Sequence, residues 1–151
     1  MPQTLTQKDH SRSALLRKLE VPKNTRAIVY LDIIDRDTHA FLKEAGKYLN
    51  IVFMSHGEKV DGEECDACIT DGCWDLDLVN LMKHSVVPIV PKDHSLITSL
   101  REFDPMKFEG NAFIYDTVNS YLIFEKLICY LENIRYVGDK RTLLNNIGKT
   151  F

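Results

Sequence analysis

No window of this sequence approaches the ~18 to 20 consecutive apolar residues of a membrane-spanning helix. The opening stretch, MPQTLTQKDHSRS, lacks the apolar core of a secretory signal. Positive charge is also in short supply. Nineteen Lys and Arg against 22 Asp and Glu give a net charge of −3, which offers no electrostatic footprint for nucleic acid or an anionic membrane. Neither partner is expected, and the expected setting is the cytoplasm. The nucleotide and nucleophile signatures G-x-G-x-x-G, Walker loop and G-x-S-x-G are all missing. Internal repeats, low-complexity tracts and linkers are missing too, so nothing divides the chain.

Cysteine is sparse and poorly arranged for a metal. Cys65, Cys68 and Cys73 form C-x2-C-x4-C, but the second ligand pair of a structural zinc site is lacking, with His56, His84 and Cys129 standing alone. No metal and no cofactor are expected. Cys68 fits a buried strand as a small hydrophobe, and a reducing compartment argues against disulfides.

What is present is ordinary soluble composition, 44% hydrophobic and 27% charged over 151 residues. That length suits one domain, burying roughly two-thirds of the surface of its unfolded chain. Residues 1–10 are polar and expected to be loose, leaving 11–151 as a single domain. Leu15, Leu16 and Leu19 mark a short helix stopped by Val21-Pro22. The β-branched run 27–34 reads as a strand covered on both faces. A helix follows over 38–48, with Ala40, Phe41, Ala45, Tyr48 and Leu49 as its apolar stripe.

Strands are then expected at 51–54, 66–70, 86–90 and 112–115. Pro88 removes a backbone donor and predicts an edge strand or a break in the ladder. Helices are expected from Trp74 to about His84, with Trp74 as a partly buried anchor, and over His94–Arg101. The longest should be capped at Asp116-Thr117, carry Val118, Tyr121, Leu122, Leu127, Ile128, Leu131 and Ile134 as its stripe, and end at Gly138. A last helix spans 139–147. This alternation predicts an α/β domain with a mostly parallel sheet and helices on both faces, Rossmann-like, with its ligand site in the loops after residues 34, 54, 70 and 90.

The order of parts in 88–116 is more particular. A strand ending PIV leads into a polar elbow, an xLxxxL segment, the acidic loop FDPMKFEGNAF and then a long amphipathic helix. This succession resembles the C-terminal, nucleotide-sugar-binding domain of bacterial glycogen and starch synthases, glycosyltransferases of the two-domain GT-B architecture. LVNLMKHSVVPIV, CDACIT and KDHSRSALLRKLEVPKNTRAIVYL extend the resemblance over nearly the whole chain. It implies a site for ADP-glucose or UDP-glucose, with Arg36, Asp75, His94 and Ser95 at the matching positions.

The family's cations and phosphate-binding glycines are poorly retained. Where an arginine and a lysine would grip the departing diphosphate, the chain reads Leu31-Asp-Ile-Ile-Asp-Arg-Asp-Thr38, with Arg36 among Asp32, Asp35 and Asp37. Asp75 or Asp77 stands where a glutamate would hold the ribose, although both also suit a helix start. Asp93-His94-Ser95 replaces a glycine pair. Loss of such donors costs several kcal/mol of transition-state stabilisation.

The expectation is therefore a stand-alone, degenerate domain acting as a binding or regulatory module, with no catalytic residue assigned and a protein partner or homo-oligomer as its assembly. One alternative is half of a split glycosyltransferase whose acceptor domain is a separate chain, with Arg36 and Ser95 on the diphosphate. Another is a receiver-like signalling domain built on Asp32, Asp35, Asp37 and Lys92.

Overall fold

A computed structural model describes residues 14–22, 24–55, 62–73 and 76–151. The expectations for residues 1–10, Trp74 and Asp75 fall outside them. Among the described residues five strands form one sheet: β1 (Ala27–Asp32), β2 (Ile51–Met54), β3 (Ala67–Thr70), β4 (Val87–Pro91) and β5 (Phe113–Tyr115). All neighbours are parallel, in the order β2-β1-β3-β4-β5. The expected α/β architecture is the one observed. β1, β3 and β4 are buried almost throughout, which is why they read as continuous apolar runs. Cys68 lies fully buried in β3, where desolvation pushes its thiol far up. A helical turn at residues 14–18 buries Leu15 on the core, with Leu16 and Leu19 packed beside it.

Among the described residues, the helices that pack with the sheet or on one another after β1 are α1 (Arg36–Leu49), α2 (Leu78–Lys83), α3 (Ser120–Ile134) and α4 (Val137–Gly148). α1 and α3 pack together, as do α2 and α4. Phe41 of α1 meets Tyr121 and Phe124 of α3 edge-on, at centroid distances of 5.5 and 5.9 Å. The buried stripe of α1 is Thr38, Leu42 and Gly46, displaced from the expected one, and Ala40 and Tyr48 face solvent. The ring of Phe53 from β2 fixes that rotation. A Cβ on Gly46 would stand 2.6 Å from it, so the backbone of the helix itself lies against the sheet.

Two further expectations are corrected and one is narrowed. Pro88 sits in an interior strand, so the edge position is excluded and the alternative, a gap in the ladder, is what is seen. Val87 donates to the Asp66 carbonyl on the β3 side, so by alternation Pro88 turns its missing N–H toward β5, whose ladder begins only at the Ile89–Phe113 pair. Asn119, not Asp116-Thr117, caps α3, its carboxamide oxygen accepting the amides of Tyr121 (2.9 Å) and Leu122 (3.2 Å). The buried side of α3 is consequently Ile123, Leu127, Tyr130 and Leu131, leaving Val118 and Tyr121 exposed. Each fully buried aliphatic there contributes about 1.5–3 kcal/mol. The break between the last two helices falls at Arg135-Tyr136, and Gly138 lies inside the first turn of α4, where amides lack helical partners anyway.

The segment His94–Arg101 is not a helix. Only a 3₁₀ turn, Ile97–Ser99, forms, through bonds such as Ser99 N to Leu96 O (2.9 Å) and Leu100 N to Ile97 O (3.2 Å). Asn111 stops it from propagating. Its Nδ2 donates to the Ser99 carbonyl (3.0 Å) and its Oδ1 accepts the Arg101 amide (2.9 Å), drawing the chain into the extended pairing of Glu102 with Ala112.

Candidate functional site

The chain runs outward from β1 to β2, then returns to β3 on the other side of β1. Strand order therefore reverses between β1 and β3, and the crevice beyond their carboxyl ends is where such sheets bind ligands. Asp32 ends β1, and Thr70 ends β3 with Asp71 following. The Asp71 amide donates to the Asp32 carbonyl (3.1 Å), and the Thr70 hydroxyl donates to Asp32 Oδ2 (2.7 Å). Asp71, buried at 8% exposure, turns its carboxylate back across the mouth. Oδ2 accepts the Ile34 amide (2.8 Å) and Oδ1 the Cys73 amide (2.9 Å). The two amides that flank the crevice thus hold an anion already, and it is the protein's own.

The helix starts at this end are closed in the same way. Asp35 caps α1, accepting the Thr38 hydroxyl (2.6 Å) and amide (3.0 Å); those bonds hold its carboxyl below the usual range. Asp77 caps α2 through the Asn80 amide (3.0 Å). The positive end of each helix, attractive to phosphate in other proteins, has an internal acceptor.

Arg36 is exposed at the first position of α1, between Asp35 and Asp37. His94 is half-buried beyond β4. Its ring lies on Gly72, whose φ is +77° and where an added Cβ would stand 3.4 Å from the imidazole Cδ2. Nδ1 accepts the Leu96 amide (3.1 Å), so the neutral ring carries its proton on Nε2. Burial pushes its pKa down, against the opposing charge of Asp93. Ser95 is exposed in the same elbow. The expected residues therefore lie beyond the carboxyl ends of β1 and β4, Arg36 at the start of α1 and His94 and Ser95 in the loop after β4. Without a helix after β4, however, no row of amides converges beside His94 and Ser95.

Two further residues close this end. Tyr115, at the end of β5, reaches over β4 to donate to the Thr70 carbonyl (2.6 Å); its burial raises the phenol pKa, reinforced by the charges of Asp71 and Asp93. Lys92 forms an ion pair with Asp116 and so bridges the loops after β4 and β5. Cys73 is exposed, but the Asp71 charge raises its pKa, the opposite of an activated nucleophile. Asp71, Thr70 and Tyr115 went unnoticed in sequence. An acid directly after an apolar strand was the available signal, though nothing local says that its oxygens turn inward.

A separate open cleft of about 480 Å³ lies near the amino end of β5, between Ser99–Arg101, Gly110-Asn111 and the end of α4 at Asn146 and Thr150. Its polar groups largely brace the FDPMKFEGNAF loop. Asn146 Nδ2 donates to the carbonyls of Phe108 (3.2 Å) and Gly110 (2.9 Å), and Asn111 Nδ2 donates to Thr150 Oγ1 (2.8 Å).

No protein-family model and no curated protein matches the chain. Among solved structures, the catalytic domain of starch synthase IV from Arabidopsis thaliana, bound to ADP and acarbose, matches with a TM-score of 0.66 at 15% identity. The match covers 94% of this chain and 38% of that one. The chain thus shares its α/β fold, with a five-stranded parallel sheet, with part of that two-domain GT-B enzyme. The likeness is to a plant enzyme, so it does not single out the bacterial synthases. It also makes this GT-B-like chain little more than a third of its neighbour's length.

Proposed function

We propose that this GT-B-like domain is a binding or regulatory module that performs no glycosyl transfer by itself. The observation supporting this is Asp71, whose two oxygens take the crevice amides of Ile34 and Cys73 and so leave neither amide for an anionic ligand. A diphosphate entering there meets Asp32, Asp35, Asp37, Asp71 and Asp93, against Arg36 and an already paired Lys92. The reading extends to residues 11–151 as one functional unit and to a protein surface as the partner.

The second reading, a half-enzyme completed by another chain, draws support from the ADP bound to the starch synthase neighbour and from the exposure of Arg36 and Ser95. In that reading Arg36 and Ser95 contact the diphosphate, with Asp75 and His94 beside the nucleotide. Calorimetry with ADP-glucose, UDP-glucose and inorganic diphosphate separates the two. No heat is expected up to millimolar ligand. Sub-millimolar binding that Arg36→Ala or Ser95→Ala weakens would overturn the module reading in favour of the half-enzyme.

A further inference from the structure

The loop that carried the family resemblance has a feature its fold does not require. Its Asp104–Glu109 hairpin is heavily braced. Asp104 and Glu109 exchange backbone hydrogen bonds (2.8 and 3.2 Å), and the Asp104 carboxylate accepts the amides of Met106 (3.0 Å) and Lys107 (3.3 Å). Asn146 clamps the base from α4. Yet this braced hairpin presents Met106 at 87% and Phe108 at 69% exposure. Phe108 also has φ +56°, a left-handed conformation that disfavours a bulky side chain. Glycine or asparagine would suit that backbone better, and the core gains little from the ring. A strained, solvent-exposed aromatic on a fixed support answers to a contact outside the chain.

The charges around the tip indicate what that contact is. Arg101 and Lys107 supply two exposed cations, Glu109 an exposed anion and Asp104 a partly exposed one. Their pairings within the chain are loose, 3.7 Å for Arg101–Glu109 and 3.6 Å for Lys107–Asp104, and stabilise the monomer little. A balanced ring of this kind is self-complementary: across a two-fold axis each cation can face an anion of the other copy, as an isologous interface requires. The carboxyl end of the sheet, dominated by carboxylates, would repel its own image. We propose that the Asp104–Glu109 hairpin is a homodimer contact, in which Met106 and Phe108 of two copies bury each other within exchanged Arg101/Lys107–Asp104/Glu109 pairs.

Sedimentation equilibrium of the full chain from micromolar to millimolar concentration tests this. A reversible monomer–dimer equilibrium is expected, with Phe108→Gly weakening the dimer at least tenfold while leaving the melting temperature of the monomer unchanged or higher, because the strain is relieved. Lys107→Glu should also weaken it, and the double variant Lys107→Glu with Glu109→Lys should restore it. A monomer at every concentration, a dimer indifferent to Phe108→Gly, or a melting temperature lowered by Phe108→Gly would each overturn the proposal. None of these outcomes bears on sugar-nucleotide binding, which calorimetry decides separately.

Discussion

The carboxylate of Asp71 and the backbone amide of Ile34, 37 residues apart, meet at 2.8 Å across the point where strand order reverses. With the Cys73 amide on its other oxygen, Asp71 joins the loops after β1 and β3 and occupies both amides itself.

Asp71→Ala leaves two amides at the crevice without their acceptor. It is expected to destabilise the fold by about 2–4 kcal/mol in urea denaturation, given about 1–3 kcal/mol for each buried donor left unsatisfied. Asp71→Asn keeps one acceptor oxygen but turns an N–H toward the other amide, so an intermediate loss is expected. A change of less than about 0.5 kcal/mol for Asp71→Ala would mean that water replaces the carboxylate freely.

His94 makes stability depend on pH. Its folded pKa lies below the ordinary value of 6.5, because burial opposes the charged ring and Nδ1 must stay unprotonated to accept the Leu96 amide. As pH falls through 6.5 the unfolded chain takes up the proton first. The contribution is therefore fully present above that pH and declines below it, until the folded ring also protonates. Denaturation midpoints from about pH 7 to about pH 5 should fall for the natural chain and fall less steeply for His94→Gln. Parallel slopes would show that the ring protonates without losing its place.

Gly110 and Gly138 should respond oppositely to alanine. At Gly110 φ is +93° and an added Cβ would stand 2.1 Å from the Glu102 carbonyl oxygen, so Gly110→Ala is expected to cost more than about 3 kcal/mol. At Gly138 nothing lies within 4 Å, and Gly138→Ala should stabilise α4 by up to about 1 kcal/mol. Thermal melts of the pair are the check, and similar shifts would contradict the bracing role of the Gly110-Asn111 turn.

Periodicity located the strands because buried parallel strands must be apolar on both faces, and the run 27–34 and the block 86–90 say so directly. It misjudged helix rotation. The apolar stripe 40–41–45–48 was the better pattern, but the flat contact that Phe53 makes with Gly46 turned α1 to bury Thr38 and Leu42 instead. Local rules also misplaced the start of α3, since Asp116, Thr117 and Asn119 are all acceptable caps and only the helix's packing selects among them. His94–Arg101 failed as a helix because Asn111, ten residues beyond Arg101, captures the backbone.

The sequence by itself determined the α/β layering and the scarcity of cations near the strand ends, because these depend on composition and on patterns a few residues long. Only the tertiary structure decided that Asp71 turns inward to hold the crevice amides, that Tyr115 reaches Thr70 across β4, and that Phe108 stands exposed on a braced turn. Each of those joins segments distant in the chain, and a hydrogen bond or a strained dihedral exists only once both ends have been brought together.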